Sequence, residues 1–248
     1  MDKTTGKIYV ANNEDYWYDV KSYIQIIPGS KNKLARLWYG WDDFAQGGVN
    51  EAGLFFDGAA TPEQNIPEGY NDPNGRNVGD EILAHCSNVE EAIAYLEKEK
   101  IAASKGHIMF GDSAGNAAVL EWINGEKKLV KLENNVLIAT NYLLSMKSAG
   151  NLPCYRFQSI EDRVIKLNES KGTVDLRLFG NVIAGAVQIP RKDSSGRVFG
   201  TLYSTFINIS DMEFVLVYQL DNSNITRLNL KEEFAKTKKR RIKLKANS

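Results

Sequence analysis

Gly47-Gly48-Val49-Asn50-Glu51-Ala52-Gly53-Leu54, continued by Phe55-Phe56-Asp57-Gly58, is the stretch on which the fold turns. The glycines and the polar Asn-Glu pair read as a tight turn, and the residues after them as a half-buried strand. Working outward, residues 7–12, 23–27 and 34–39 are further strand candidates. The polar cluster Asn12-Asn13-Glu14-Asp15 follows the first, and Pro28-Gly29-Ser30 and Asp42-Asp43 break the others. Residues 61–77 are rich in Pro, Asn, Asp and Gly and read as a long surface loop of the kind that covers a site.

Helical periodicity starts at residues 78–85 and 89–100. In the second run Val89, Ala92, Ile93 and Leu96 share one face, with Ser87 or Asn88 as the cap. Strand patterns return at 107–110, 117–123, 128–132 and 136–140, with Asn124-Gly125 as a hairpin turn between two of them. Helices are predicted over 155–168 and 174–187, then strands at 201–209, 214–220 and 225–230. Helices and strands are segregated instead of alternating, which argues against a doubly wound parallel sheet. Two antiparallel sheets packed face to face, with helices outside, satisfy the order: an α+β sandwich.

The chain has 248 residues, 43% hydrophobic and 25% charged, which suits one large domain with a sizeable core. We place that domain at residues 1–235, followed by a basic C-terminal tail, 236–248. The tail holds seven basic side chains and no acidic one, leaving residues 1–235 with a net charge of −7. A body of that sign is a poor phosphate binder, so nucleic acid is not expected as a partner. The tail lacks interleaved aromatics and reads as a solvated terminus. No apolar run reaches the eighteen residues of a membrane span. Two cysteines, Cys86 and Cys154, give neither a disulfide framework nor metal-ligand spacing, and no cofactor is implied.

Gly111-Asp112-Ser113-Ala114-Gly115 matches the nucleophile elbow of serine hydrolases. The elbow must open a helix, whereas residues 116–123 alternate like a strand. It also needs a histidine later in the chain, and His85 and His107 both precede Ser113. A polar hairpin turn is the better reading. Cys86 beside His85 reads as a buried helix cysteine, since neighbours on a helix do not face each other. Cys154, after Pro153 at a helix start, could have its thiol activated by the helix dipole but has no base assigned to it.

Several segments, taken in order, resemble the choloylglycine hydrolase, penicillin V acylase and acyl-coenzyme A:penicillin acyltransferase group of N-terminal nucleophile hydrolases. They are 6–16, 48–54, 111–121 and Ala139-Thr140-Asn141-Tyr142, followed by Arg156-Phe157 and Gly200-Thr201-Leu202-Tyr203-Ser204. The resemblance implies an αββα sandwich and the hydrolysis or transfer of an acyl group from a small-molecule N-acyl amide. It implies that an N-terminal cysteine supplies the thiol and that its α-amino group, titrating near 8, is the base. By the same resemblance Asp15 holds that amine, Asn141 offers its amide to the oxyanion, and Arg156 orients thiolate and substrate. A backbone N–H at Ala59 or Ala60 is the second oxyanion donor.

The chain departs from the group's pattern twice. Ala11-Asn12-Asn13 replaces a Gly-Arg-Asn, so an arginine near the nucleophile is lost, and Asn12 and Asn13 are the candidate oxyanion or substrate contacts there. No cysteine precedes Asp15, and Met1 cannot serve as a thiol. The expectation is a start at an internal Met, a few residues downstream of the nucleophile and of any export signal, and an inactive chain. The compartment is then cytoplasmic as the chain stands and exported if a signal was lost. A homo-oligomer is compatible with this reading. The rival reading is a non-catalytic protein that holds an acyl ligand on the same fold.

Overall fold

A computed structural model describes residues 1–146, 154–169 and 173–246. In chain order the elements begin with β1 (Tyr9–Trp17), β2 (Tyr23–Ile27), β3 (Arg36–Trp41), β4 (Phe44–Asn50) and β5 (Phe55–Ala60). Helices α1 (Val78–His85) and α2 (Val89–Lys98) follow, then β6 (Gly106–Gly111), β7 (Ala117–Ile123) and β8 (Glu126–Lys131). After α3 (Tyr155–Glu169) and α4 (Leu176–Ile183) come β9 (Arg191–Lys192), β10 (Val198–Asn208), β11 (Glu213–Tyr218) and β12 (Ile225–Asn229). A short α5 (Leu230–Phe234) and β13 (Arg240–Lys243) close the chain. Pro153 and the last two tail residues lie outside the described residues.

The strands form two antiparallel sheets. One has the order β13-β2-β3-β4-β5-β6-β7-β8; the other runs β1-β10-β11-β12, with β9 beside β10. Alternating side chains pack the two sheets together through Ile24, Leu37, Tyr39, Val49, Phe55, Tyr203, Ile207 and Leu216. The far face of the larger sheet buries Phe56, Phe110, Leu120 and Trp122 against Ile82, Leu83 and Leu96 of α1 and α2. On the smaller sheet α4 lies against β1 and β10, with α3 beside it. This is the αββα layering expected from the order of elements.

The opening stretch folds differently from its reading. Gly47 and Gly48 are strand residues inside β4, and the turn falls at Glu51-Ala52. The glycines are there for close approach. A Cβ on Gly47 would lie 2.1 Å from Asp57 Oδ2 and 2.5 Å from the Tyr39 hydroxyl, and one on Gly48 2.5 Å from Leu37 O. Asn50 closes the turn, its Oδ1 accepting from the N–H of Ala52 and Leu54. Its Nδ2 donates to Leu83 O and Cys86 O, tying down carbonyls at the end of α1 that no helical N–H can reach.

Other expectations shift for identifiable reasons. Asn12-Asn13-Glu14-Asp15 does not end the first strand; β1 runs through it, because polar side chains on both faces find partners. Residues 136–140 are not a strand. Asn134 and Asn135, at φ 50° and 66°, turn the chain out of the sheet after β8, and only a Glu133–Val136 bridge remains. The helix expected over 174–187 is shorter. Asp175 caps α4 by accepting from Leu178 N (2.7 Å), and Ala184–Ala186 tighten into a 3₁₀ turn.

The solvated reading of the tail is corrected as well. Arg240–Lys243 pair with β2 as an edge strand, Leu244 is buried, and Arg241 stacks on Tyr23. Basic side chains suit that place, since charge on an exposed edge opposes pairing with other chains. Among the described residues no helix is long and apolar enough to cross a membrane.

Candidate active site

Between β1, the β5–β7 end of the larger sheet and the crossing segment 132–141 lies a cavity of about 830 Å³. That is within the range of small-molecule sites. Asp15, Asn141, Arg156, Ala59, Ala60, Asn12 and Asn13 all line it. Four of them form one connected unit. Arg156, in the first turn of α3, donates from Nη1 to Asp15 Oδ2 (2.8 Å) and from Nη2 to Asn141 Oδ1 (2.5 Å). Asn141 Nδ2 in turn donates to Ala60 O (2.9 Å). Residues 15, 60, 141 and 156 are thus linked through four separate segments of chain.

Asp15 shares the helix-side face of β1 with Asn13, and the extra residue on β10, Leu202, between the partners of Glu14 and Asp15, sets Thr201 opposite it. Its carboxylate also accepts from Thr201 Oγ1 (2.6 Å) and Gln188 Nε2 (2.9 Å). Thr201 lies in the Gly200–Ser204 segment but was assigned no role there, and Gln188 carries no chemical motif that could single it out. Three charge-assisted bonds fix Asp15 and leave part of its lone-pair capacity for one more donor.

Strand phase separates the two alanines. Thr61 N–H donates to Lys105 O (3.0 Å), and Ala59 and Ala60 stand opposite His107 and Gly106. Backbone groups alternate between the two edges of a strand. Ala59 is therefore in phase with Thr61 and faces β6. Ala60 faces the other edge, where pairing with β4 has ended at Gly47 opposite Asp57. The Ala60 N–H is the one turned to the cavity beside Asn141.

Asn12 and Asn13 point to opposite faces of β1. Asn13 donates to Ile183 O (2.9 Å) and accepts from Ser204 Oγ, which pins the end of α4. Asn12 looks between the sheets, donating to Asp57 Oδ1 (3.1 Å) and accepting from Thr205 Oγ1. Desolvation pushes the Asp57 carboxyl up to about 8, although Tyr39, Asn12 and the Gly58 N–H bond to it. Burial and the neighbouring Asp57 and Asp15 likewise raise Glu14 far above the usual carboxylate range.

Glu121, fully buried on β7, braces the loop that carries Asn141. Its Oε1 accepts from Leu144 N (2.7 Å) and bonds His107 Nδ1 (3.0 Å); its Oε2 accepts from the N–H and hydroxyl of Ser145. Desolvation raises its pKa, but these bonds outweigh it and the net shift is downward.

The remaining candidates sit apart. Ser113 occupies the β6–β7 turn and donates to Ala52 O, while Asp112 accepts from Ala114, Asn116 and Val89 N–H. Cys86 is buried under the helices, where desolvation raises its thiol to about 12. Cys154 contacts Thr140 Oγ1 (3.3 Å). Burial raises its pKa, but Thr140, the Phe157 and Arg156 N–H groups and the Arg156 charge bring it below the ordinary value. The Met1 amine donates to Asn135 O elsewhere on the cavity wall, and burial lowers its pKa.

Two antiparallel sheets between helix layers are the αββα sandwich that defines the class of N-terminal nucleophile hydrolase folds. The chain belongs to the acyl-coenzyme A:6-aminopenicillanic acid acyl-transferase family, whose model matches residues 3–223.

Solved structures share the fold. A variant of conjugated bile acid hydrolase from Clostridium perfringens superposes with a TM-score of 0.77 at 17% identity, over 100% of this chain and 95% of that one. Penicillin V acylase from Agrobacterium tumefaciens gives 0.70 at 17% identity, over 97% and 88%. The Caenorhabditis elegans ortholog of N-acylethanolamine-hydrolyzing acid amidase gives 0.55 at 13% identity, over 84% and 90%. A search among curated proteins returned no match.

Proposed function

We propose that the intact protein hydrolyses, or transfers the acyl group of, a linear N-acyl amide, using a cysteine thiol carried on a segment that runs along the free edge of β1. The observation that carries this reading is the Asp15–Arg156–Asn141–Ala60 unit at the wall of a ligand-sized cavity. The backbone adds support. Among the described residues β1 pairs along its backbone with β10 only. Asp2 N donates to Lys7 O (2.8 Å) and Gly6 N to Asp2 O (2.9 Å), the bonds of a turn that directs preceding residues back antiparallel to β1. Continuing that register sets a residue roughly five to seven positions before Met1 opposite Asn13–Asp15.

The chemistry follows from those positions. Asp15 holds the terminal ammonium with its remaining lone pair; as the free amine, that group takes the thiol proton. The thiolate adds to the amide carbon. The oxyanion is met by the second hydrogen on Asn141 Nδ2 and by the Ala60 N–H, both held in place before reaction. The amine leaves with the proton, and water or an acceptor amine resolves the thioester. Arg156 fixes Asp15 and Asn141 relative to each other.

The test is to express the protein with its native preceding codons, expose the cysteine at the terminus, and assay a panel of N-acyl amides. Cys154→Ser is built in, because the lowered pKa of that thiol makes it a second target for iodoacetamide. Turnover abolished by iodoacetamide is expected. A panel that stays blank overturns the reading.

A further inference from the structure

His107 lines the cavity from β6, is only 2% exposed, and has no hydrogen-bond partner for its Nε2 among the described residues. Its neighbours Ile108 and Phe110 pack against the α1–α2 layer, so the alternate residues His107 and Met109 face the other way, toward the space between the sheets. The cross-strand neighbours fix how the ring is turned. On the β7 side, one step beyond the Ile108–Leu120 pair, stands Glu121, which bonds Nδ1 (3.0 Å). On the β5 side Ala59 stands directly opposite. Ala59, Ala60 and Asn141 line the cavity, whereas Glu121, Leu144 and Ser145 do not. The imidazole therefore stands between the two groups, its Nδ1 edge on the carboxylate and its Nε2 edge turned to the cavity.

The bonds to Glu121 also set the tautomer. Each of its carboxylate oxygens accepts a backbone N–H, from Leu144 and from Ser145, the pattern of an ionised group. An ionised carboxylate only accepts, so Nδ1 carries the hydrogen, and in the neutral ring Nε2 is a bare acceptor. A buried acceptor without a donor is destabilising, and folded proteins leave few of them. Here the orphan sits on the wall of a ligand-sized cavity, where a bound molecule can supply the missing donor.

We propose that His107 is a specificity-determining residue: its Nε2 accepts a hydrogen bond from an O–H or N–H group of the bound ligand. N-acyl amides that bring a donor to this wall are then preferred over their methylated counterparts. This rests on the reading of the cavity as the substrate site under Proposed function and adds a contact to it. Glu121 serves by locking the ring. With Nδ1–H committed to the carboxylate, Nε2 has only a lone pair to present, and a ligand acceptor there meets repulsion. A ligand lacking the donor leaves the buried nitrogen unpaired, which is how such a site discriminates.

The chain has two histidines, exposed His85 on α1 and buried His107, so spectra of the protein labelled with heavy nitrogen at histidine resolve each ring. Long-range proton–nitrogen correlation at mildly alkaline pH should show the Nε2 of His107 unprotonated in the free chain. Two probe pairs are then titrated: hexanol against hexyl methyl ether, and N-methylhexanamide against N,N-dimethylhexanamide. In at least one pair the member with a donor should bind about fivefold more tightly, as one added hydrogen bond requires. It should also shift the Nε2 resonance upfield, while its methylated partner leaves that resonance in place. The pair that responds assigns the donor to a hydroxyl or to the amide N–H. His107→Asn keeps a side-chain N–H at the place of Nδ1 and lacks Nε2, so it should abolish the preference. Should the variant fail to fold, the native spectra still decide.

Equal affinity within both pairs overturns the proposal. So does an Nε2 that is protonated in the free chain, or one that stays unmoved when a donor probe binds. Binding of none of the four probes overturns it together with the cavity's role as a ligand site. A response at His107 in a protein whose cysteine-bearing form shows no amidase activity leaves the contact standing and removes the enzyme reading alone. Turnover by that form with a silent His107 does the reverse.

Discussion

Replacing Glu121 with Gln changes almost no volume but should loosen the loop that presents Asn141. The native carboxylate accepts from four donors, two on each oxygen. Gln keeps one acceptor oxygen and gains an NH₂ group. With that group on the Oε1 side, His107 can change tautomer and accept, but the Leu144 N–H faces a donor. On the Oε2 side, the Ser145 hydroxyl can rotate and accept, but the Ser145 N–H faces a donor. Either orientation leaves one buried backbone N–H unsatisfied, at about 1–3 kcal/mol, and removes charge assistance from the bonds that survive. We expect a loss of about 2–4 kcal/mol in urea unfolding at pH 7, with faster hydrogen exchange at Leu144 and Ser145.

The pH dependence has a fixed sign. The folded pKa of Glu121 lies below its ordinary value, so its stabilisation is complete above the unfolded pKa of about 4.3 and fades as pH falls through the folded value. The gap between native protein and Glu121→Gln should narrow in acid. A loss under about 1 kcal/mol at pH 7, or unchanged exchange at both amides, would refute the bracing role.

Asp57 should behave in the opposite sense. Its folded pKa is raised to about 8, so between about pH 4 and pH 8 the unfolded chain sheds this proton while the folded one keeps it. Stability should fall with rising pH across that window, and Asp57→Asn should flatten the slope in urea titrations. Gly47→Ala puts a methyl against Asp57 Oδ2 and the Tyr39 hydroxyl and should cost at least about 2 kcal/mol, seen as a lowered thermal midpoint; an unchanged midpoint would contradict the packing. Deleting residues 236–248 uncovers β2 and removes the Arg241 stack on Tyr23, so the midpoint should drop and aggregation rise in light scattering. A free solvated tail would leave both unchanged.

Local chemistry made the layer order, most strands and the α1–α2 pair legible, because alternation, helical period and turn residues act over a few positions. The same locality explains the errors. Gly47-Gly48 looks like a turn until Tyr39 and Asp57 are seen to occupy the space beside it. Residues 236–245 look like a solvated run until β2 offers an edge. The candidate residues Asp15, Asn141 and Arg156 were reached through ordered motifs. Thr201 and Glu121 lay inside matched segments with no role assigned to them, and Gln188 lay in none, since what they do depends on distance in the fold.

Sequence by itself determined which side chains exist to carry charge, hydrogen bonds and apolar surface, and in what periodic order. Only the tertiary structure decided that Asp15, Arg156, Asn141 and Ala60 touch, that Glu14 and Asp57 line one cavity, and which alanine turns its N–H to it. The physical reason is that contacts between residues 15 to 141 positions apart depend on strand register and sheet stacking. Those are set by the whole core at once and by no single segment.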